Sequence, residues 1–167
     1  MIERHFSDDR ARSSALFSGC GAYRYALTRE WGAGPRLNVV MLNPSTADET
    51  RNDPTVARCE ARARGLGFGA FRVTNLFSFR ATNPRDLKRA DNPIGPKDDA
   101  VLEEAATWAD LVLCGWGVHG AHLGRGAQVE ARLRRVAGEL YHLGLTKEGA
   151  PRHPLYVGYR VSPILWR

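Results

Sequence analysis

The fold is decided by residues 37–48, which read Leu37-Asn38-Val39-Val40-Met41-Leu42-Asn43-Pro44-Ser45-Thr46-Ala47-Asp48. All residues from 37 to 42 except Asn38 are apolar, which is typical of a strand buried on both faces of a parallel sheet. The strand must end at Asn43, because Pro44 donates no ladder hydrogen bond and restricts the residue before it. Polar side chains therefore follow a buried carboxyl edge, where open α/β sheets bind ligands.

The segments after this strand predict an α/β protein. Asp53 and Pro54 suit the start of a helix, and the apolar residues between 56 and 66 recur at helical spacing. Residues 70–77 then favour a second strand, so the three segments make a right-handed βαβ unit. Further strands are predicted at 110–115 and 140–143, and further helices at 97–108 and 126–137.

We therefore expect a three-layer α/β/α sandwich with a short, mainly parallel central sheet. Residues 22–29 alternate like a strand, and the turn at 31–35 predicts that this strand is an antiparallel neighbour of strand 37–42 at the sheet edge. Residues 1–21 carry few periodic apolar positions, so we expect a loosely ordered arm. Residues 22–167 are then a single domain.

Composition limits the partners and the location. The chain has 167 residues, 43% of them hydrophobic, which suits one core. A net charge of +6 favours anionic partners, with nucleic acid or nucleotides first. No apolar run is long enough to span a membrane, so we expect a cytoplasmic protein without a membrane partner.

Metal and cofactor signals are weak. The three cysteines are odd in number and widely spaced, which argues against a disulfide framework and a zinc knuckle. His119 and His122 are two candidate metal ligands in a glycine-rich loop, with Asp48 or His153 as further ligands, but the sequence does not fix the positions of a third and fourth ligand. We predict neither a cofactor nor a metal site.

Six motifs follow one another along the chain: Leu42–Asp48, Asp53–Thr55, Asn75–Phe77, Arg80–Thr82, Gly115–Gly117 and Gly149–Tyr156. Together they closely resemble the bacterial and phage domain-of-unknown-function family 1643, over roughly residues 23–156. If the strands are parallel, the loops that begin at Asn43, Asn75 and Gly115, and the loop that contains His153, converge at one edge of the sheet.

The same order of parts is more distantly similar to the uracil-DNA glycosylase superfamily. Residues 41–45 stand where that superfamily has a Gly-x-Asn-Pro-Gly loop that positions the attacking water, with Met41 and Ser45 in place of its glycines. Asn75 matches a strand-end Asn that reads a flipped base, and His153 matches the His of a late His-Pro-Ser loop. The resemblance implies an N-glycosylase that acts on altered bases in nucleic acid or nucleotides.

The candidate residues suggest which side chain would carry out each part of such a reaction. Asn43 could orient the water, Asp48 would be the stronger base if its loop turns inward, and His153 could donate a hydrogen bond to the departing base. Asn75 could read a pyrimidine edge while an aromatic ring stacks on it. The remaining substrate-binding candidates are Pro44, Ser45, Thr46, Phe77, Arg80 and Trp116.

Two binding functions compete with catalysis. The loop from Pro44 to Pro54 could hold a phosphate or nucleotide through backbone N–H groups at a helix start. An arginine-rich face could bind nucleic acid without sequence preference. Asn43, Asn75 and His153 also have purely structural interpretations, as a turn residue and as loop caps.

Overall fold

One mixed sheet of eight strands forms the centre of the computed structural model, which describes residues 1–167. Its strands are β1 (Ile2–Ser7), β2 (Arg12–Phe17), β3 (Arg24–Glu30), β4 (Arg36–Met41), β5 (Ala70–Asn75), β6 (Leu111–Cys114), β7 (Tyr141–His142) and β8 (Ile164–Leu165). Its helices are α1 (Pro54–Gly65), α2 (Pro84–Arg89), α3 (Asp98–Trp108) and α4 (Arg125–Ala137), with 3-10 helices at Val118–Gly124 and Pro154–Tyr156. None of the helices combines the length and apolar character that crossing a membrane requires.

The centre of the sheet is parallel and its flanks are antiparallel. The strand order is β1-β2-β3-β5-β4-β6-β7-β8, and β4 pairs in parallel with β5 on one side and β6 on the other. β7 continues the parallel set beside β6, whereas β3 and β8 run antiparallel to β5 and β7. The predicted α/β fold with a mainly parallel central sheet is confirmed.

Helices cover both faces of the sheet because β4 is apolar on both. Val39 and Met41 belong to the hydrophobic cluster that contains the buried residues of α1. Val40 and Leu42 belong to a second cluster with buried residues of α2, α3 and α4. Successive strand side chains point to opposite faces, so the two clusters are the two sides of one sheet and the molecule has three layers.

The position predicted for β3 beside β4 is wrong. β3 pairs with β5, which lies between the two strands, so β3 is neither next to β4 nor at the edge. The turn from Trp31 to Pro35 crosses the start of β5: Trp31 and Gly32 donate their N–H groups to the carbonyl of Gly69, and Gly69 donates to Pro35. A Cβ on Gly34 would lie 2.8 Å from the Gly67 carbonyl oxygen, so this crossing depends on glycine.

The loosely ordered arm predicted for residues 1–21 is also wrong. β1 and β2 form an antiparallel hairpin, and β2 pairs along its length with β3. Ala15 and Phe17 on β2 enter the hydrophobic core, while every residue of β1 is exposed. A strand that buries neither face has no alternating pattern of apolar residues, so β1 gave no sequence signal.

Asp98 is a buried carboxylate at the start of α3. Its Oδ2 accepts hydrogen bonds from the backbone N–H groups of Ser78, at 3.1 Å, and Gly95, at 2.9 Å. Burial raises the pKa of Asp98 to about 6, against the opposing effect of these hydrogen bonds. Asp98 therefore joins the loop after β5 to the loop before α3 while remaining protonated over part of the mildly acidic range.

Stability should depend on the titration of Asp98. Its pKa is raised in the folded state, so between about pH 4 and pH 6 the native protein holds a proton that the unfolded chain has released, and stability falls as pH rises through this window. Two pKa units correspond to about 3 kcal/mol. We expect Asp98→Asn, whose Oδ1 can accept the same two bonds, to remove this slope in urea unfolding between pH 4 and pH 7. Equal slopes for the two proteins would contradict the assignment.

Candidate functional site

Four loops meet at the carboxyl edge of the parallel strands. Met41 lies opposite Asn75 in the β4–β5 register, and Val40 lies opposite Cys114 in the β4–β6 register, so the three strands end at nearly the same level. Backbone hydrogen bonds between these segments continue past the strand ends: Leu76 N–H donates to the Met41 carbonyl at 2.8 Å, and Phe77 N–H donates to the Leu42 carbonyl at 3.0 Å. The fourth loop is tied in by the N–H of Gly117, which donates to the Pro151 carbonyl at 2.8 Å.

Two adjoining cavities open between these loops. An inner cavity of about 280 Å³ and an outer cavity of about 470 Å³ share the lining residues Asn43, Ser45, Thr55, Thr82, His153 and Leu155. The inner cavity reaches the end of β5, whereas the outer cavity runs past Trp116 to exposed Tyr156. A larger depression of about 550 Å³ lies at the opposite edge of the sheet, beside the turns at 8–12 and 30–33, and contains none of these residues.

Asn75 lines the inner cavity with an unsatisfied amide. The residue is only 4% exposed, and neither its Nδ2 nor its Oδ1 has a hydrogen-bond partner in the protein. A buried donor or acceptor without a partner costs about 1–3 kcal/mol, so such groups are rare in native proteins. An amide with both groups free at the wall of a cavity is suited to a ligand that offers an acceptor and a donor side by side.

Asn43 connects two of the loops and lines both cavities. Its Nδ2 donates to the carbonyls of Ala81, at 2.7 Å, and Pro44, at 3.1 Å. Because both partners are carbonyl oxygens, the amide nitrogen must face them, which leaves Oδ1 as a free acceptor. Asn43 thus has the structural role of a turn residue and keeps one group for a ligand or water.

His153 lies at the junction of the two cavities. Its Nδ1 accepts a hydrogen bond from the N–H of Leu155 at 3.3 Å, which caps the short 3-10 helix that follows. Burial lowers the pKa of His153, and the charge of Asp53 opposes this shift only in part. The imidazole is therefore neutral at pH 7, and its proton resides on Nε2, the only nitrogen left to donate.

Two arginines of α1 anchor the segment that follows His153. Arg58 donates to the carbonyls of Pro154, at 3.2 Å, and Val157, at 2.7 Å. Buried Arg62 donates to the same Val157 carbonyl at 2.9 Å and to Val161 at 2.8 Å. The segment after His153 is therefore fixed to the helix that begins beside the inner cavity.

Four other site residues were predicted in the loop that follows β4, and all but one of them line the inner cavity. Pro44, Ser45 and Thr46 line the inner cavity, and Ser45 Oγ lies 2.9 Å from Thr82 Oγ1. Asp48 lines neither cavity: its Oδ1 accepts hydrogen bonds from Thr50 and Arg51, which lower the pKa of the carboxyl although burial opposes them. The condition under which Asp48 would act as the base, a loop that turns inward, is therefore not met.

Two further substrate-binding candidates lie outside the cavities. Phe77 is fully buried in the core and packs against His122, with ring centroids 5.6 Å apart, so it offers no face to a ligand. Exposed Arg80 donates to the Gly21 carbonyl and lies over the Phe17 ring. Trp116 does line the outer cavity, although only 4% of it is exposed.

The histidine pair is not arranged as a metal centre. His119 lines the outer cavity, whereas His122 faces Phe77 at a kink of the 3-10 helix. No group of three or more His, Cys, Asp or Glu side chains is positioned to hold a metal ion.

Two charged residues of the inner cavity were not predicted as ligand contacts. Asp53 caps α1 as predicted, with Oδ1 accepting from Val56 N–H at 2.9 Å, and it also lines the cavity. Buried Arg24, at the start of β3, lines the same wall. Arg24 carries no sequence signal, because it lies in an unremarkable alternating strand and reaches the cavity only through the packing of β3 against β5.

Replacing Asn75 should separate a ligand-binding role from a structural one. We expect Asn75→Leu to raise the free energy of unfolding by about 1–3 kcal/mol, because it removes two unsatisfied buried groups at similar volume. The control is Thr74→Val on the same strand, which removes a hydrogen bond to Asn38 and should destabilise by about 1 kcal/mol. Urea unfolding of both variants checks this, and a loss of stability in Asn75→Leu would assign it a structural role.

Comparison with known proteins identifies a family without an activity. Residues 24–155 match the model of the family described as "Protein of unknown function (DUF1643)". No curated protein and no solved structure matches the chain. The more distant likeness to the uracil-DNA glycosylase superfamily stays a prediction. Because the match covers most of the sequence, including every residue that lines the two cavities except Tyr156, the chain belongs to the DUF1643 family of proteins of unknown function.

Proposed function

We propose that the protein binds a nucleobase in the inner cavity and hydrolyses its N-glycosidic bond. The observation that carries this proposal is the buried amide of Asn75, whose donor and acceptor both lack partners. A pyrimidine edge presents an N–H next to a C=O and would satisfy both atoms at once. The ligand is a base in a nucleotide or a base flipped out of a nucleic-acid strand.

The reaction adds one water across the base–sugar bond. The hydroxyl goes to the sugar carbon, the bonding electrons leave with the base, and a proton completes the base. As the bond breaks, positive charge develops on the sugar and negative charge on the base, so catalysis needs a held water on one side and donors on the other. The free Oδ1 of Asn43 and the Nε2–H of His153 are the groups that lie at the cavity for these two tasks.

Asp53 replaces Asp48 as the carboxylate at the cavity, with an electrostatic role rather than that of a base. It is the carboxylate of the inner cavity wall, and its Oδ1 is held by the backbone of Val56. A fixed carboxylate stabilises a neighbouring positive charge, which suits the sugar in the transition state. Asn43 orients the water and Asp53 supplies the negative charge.

His153 offers a variant that tests its donor alone. Asn at position 153 can still accept from Leu155 N–H and keep the cap, while its Nδ2 takes the place of the ring Cδ2, so no donor remains at the position of Nε2. We expect His153→Asn to lower base release by about 10²-fold or more at unchanged stability. The measurement is mass spectrometry of free base released from single- and double-stranded DNA, RNA and free nucleotides that carry uracil or other altered bases.

The controls define what each result means. Thr74→Val, on the opposite face of β5 from Asn75, should release base at the wild-type rate, whereas Asn75→Leu should lose release along with binding. Equal rates for wild type and His153→Asn would remove His153 from the mechanism. Absence of release from every substrate would overturn the glycosidase proposal.

A second candidate function is a nucleotide-binding module without turnover. The observation that favours it is the engagement of both nearby carboxylates. Asp48 is held within its own turn and lines neither cavity, and one oxygen of Asp53 is occupied by the cap of α1, so the loops supply no carboxylate that is free of structural hydrogen bonds. This function requires that a nucleotide raises the melting temperature while no base is released.

A further inference from the structure

Arg24 is a buried cation at the wall of the inner cavity. Its side chain is 1% exposed, and it lines the same cavity as Asn75. The backbone N–H of Arg24 donates to the Ser78 carbonyl at 3.0 Å, and its Nη1 donates to the Ala47 carbonyl at 2.8 Å. Arg24 therefore joins the start of β3 to the segment that follows β5 and to the loop that follows β4.

Arg24 lacks the partners that the other buried arginines have. Arg125 forms a salt bridge with Asp99 at 2.8 Å, and Arg29 and Arg62 each donate to several oxygens of neighbouring loops. Arg24 differs in that its guanidinium makes only one hydrogen bond and no salt bridge; its Nε, like that of Arg62, is buried without a partner. Since a guanidinium carries five N–H donors, most of its hydrogen-bonding capacity is unused.

The charge of Arg24 persists at neutral pH. Burial lowers the pKa of Arg24 to about 10, and the positive charges of Arg80 and Arg29 act in the same direction, while Asp53 and Asp48 oppose them. A pKa near 10 still leaves the group protonated at pH 7. The cavity wall thus holds a positive charge without a contacting anion, which is costly unless a ligand supplies one.

The start of α1, which lines the same cavity as Arg24, is poorly suited to bind an anionic ligand group by itself. Asp53 already occupies the N–H of Val56 at the start of α1, and Pro54 has no N–H to give. A phosphate placed there would also face the Asp53 carboxylate. The guanidinium of Arg24 offers a phosphate more free donors than this helix start does.

We propose that Arg24 binds a phosphate group of the ligand whose base is read by Asn75. This inference rests on the proposed function of the cavity and narrows the ligand to a phosphorylated nucleoside or a phosphodiester of a strand. The planar fork of a guanidinium binds two phosphate oxygens at once, which also fixes the ligand's orientation. Asn75 and Arg24 together then recognise base and phosphate within one cavity.

The test measures melting temperature with uridine, uridine 5′-monophosphate, a single-stranded uracil-containing oligonucleotide and inorganic phosphate, each at the same ionic strength set with KCl. The variant is Arg24→Met, which keeps the length of the stem but removes the charge. The control is Arg80→Met, which removes an exposed charge outside both cavities. Dissociation constants from the same titrations give the fold-change in affinity between wild type and each variant.

We expect the phosphate-bearing probes to stabilise wild type and Arg80→Met more than uridine does. Arg24→Met should lose this difference, because its affinity for these probes should be tenfold to hundredfold weaker, on the order expected for loss of a charged hydrogen-bonded pair. A larger shift with the monophosphate assigns a free nucleotide, and a larger shift with the oligonucleotide assigns a strand. Equal phosphate-dependent shifts in wild type and Arg24→Met would overturn the inference.

The two proposals can fail separately. If uridine stabilises the protein and Asn75→Leu abolishes that effect while Arg24→Met changes nothing, the base-binding function stands and the phosphate inference is overturned. If phosphate stabilises through Arg24 while uridine and Asn75→Leu have no effect, the phosphate inference stands and the base-binding function is overturned.

Discussion

The parallel pairing of β4 with strands on both sides is the constraint on which the site depends. β4 is apolar on both faces and its backbone is paired at both edges, so it has no freedom to shift relative to β5 or β6. The ladder even continues into the loops, where Phe77 N–H bonds to the Leu42 carbonyl and Gly115 N–H bonds to the Val40 carbonyl. Asn43 is therefore fixed between the loops that follow its two neighbouring strands.

Arginines act as braces between segments that the sheet does not connect. Arg29 donates to the Asp48 carbonyl at 2.6 Å and to Asn52 Oδ1 at 3.0 Å, which fixes the loop before α1. Arg58 and Arg62 hold the carbonyls after His153 in the same way. Much of the positive charge of the chain is thus used for internal hydrogen bonds, so the net charge is weak support for a nucleic-acid surface.

The polar groups of the core divide into two kinds. Thr74 donates a hydrogen bond to Asn38 Oδ1, and Arg125 is paired with Asp99, so each of these side chains has a partner within the protein, although Asn38 Nδ2 has none. Asn75 and Arg24 lie together at the inner cavity with most of their capacity unused. A protein that keeps such groups gives up stability at that place, which is typical of a site that a ligand completes. The proposed recognition of base and phosphate follows from this difference.

The sequence by itself determined the parallel core, the βαβ unit and the edge at which the loops leave, because the apolar run of β4 and the Pro after Asn43 are local signals that tertiary packing does not override. It also placed Asn43, Asn75 and His153 in those loops. Only the tertiary structure decided the order of strands around β5, the strand identity of β1 and the exclusion of Asp48 and Phe77 from the cavities. It alone brought Arg24 to Asn75, because side-chain direction and long-range pairing depend on contacts between residues far apart in the chain.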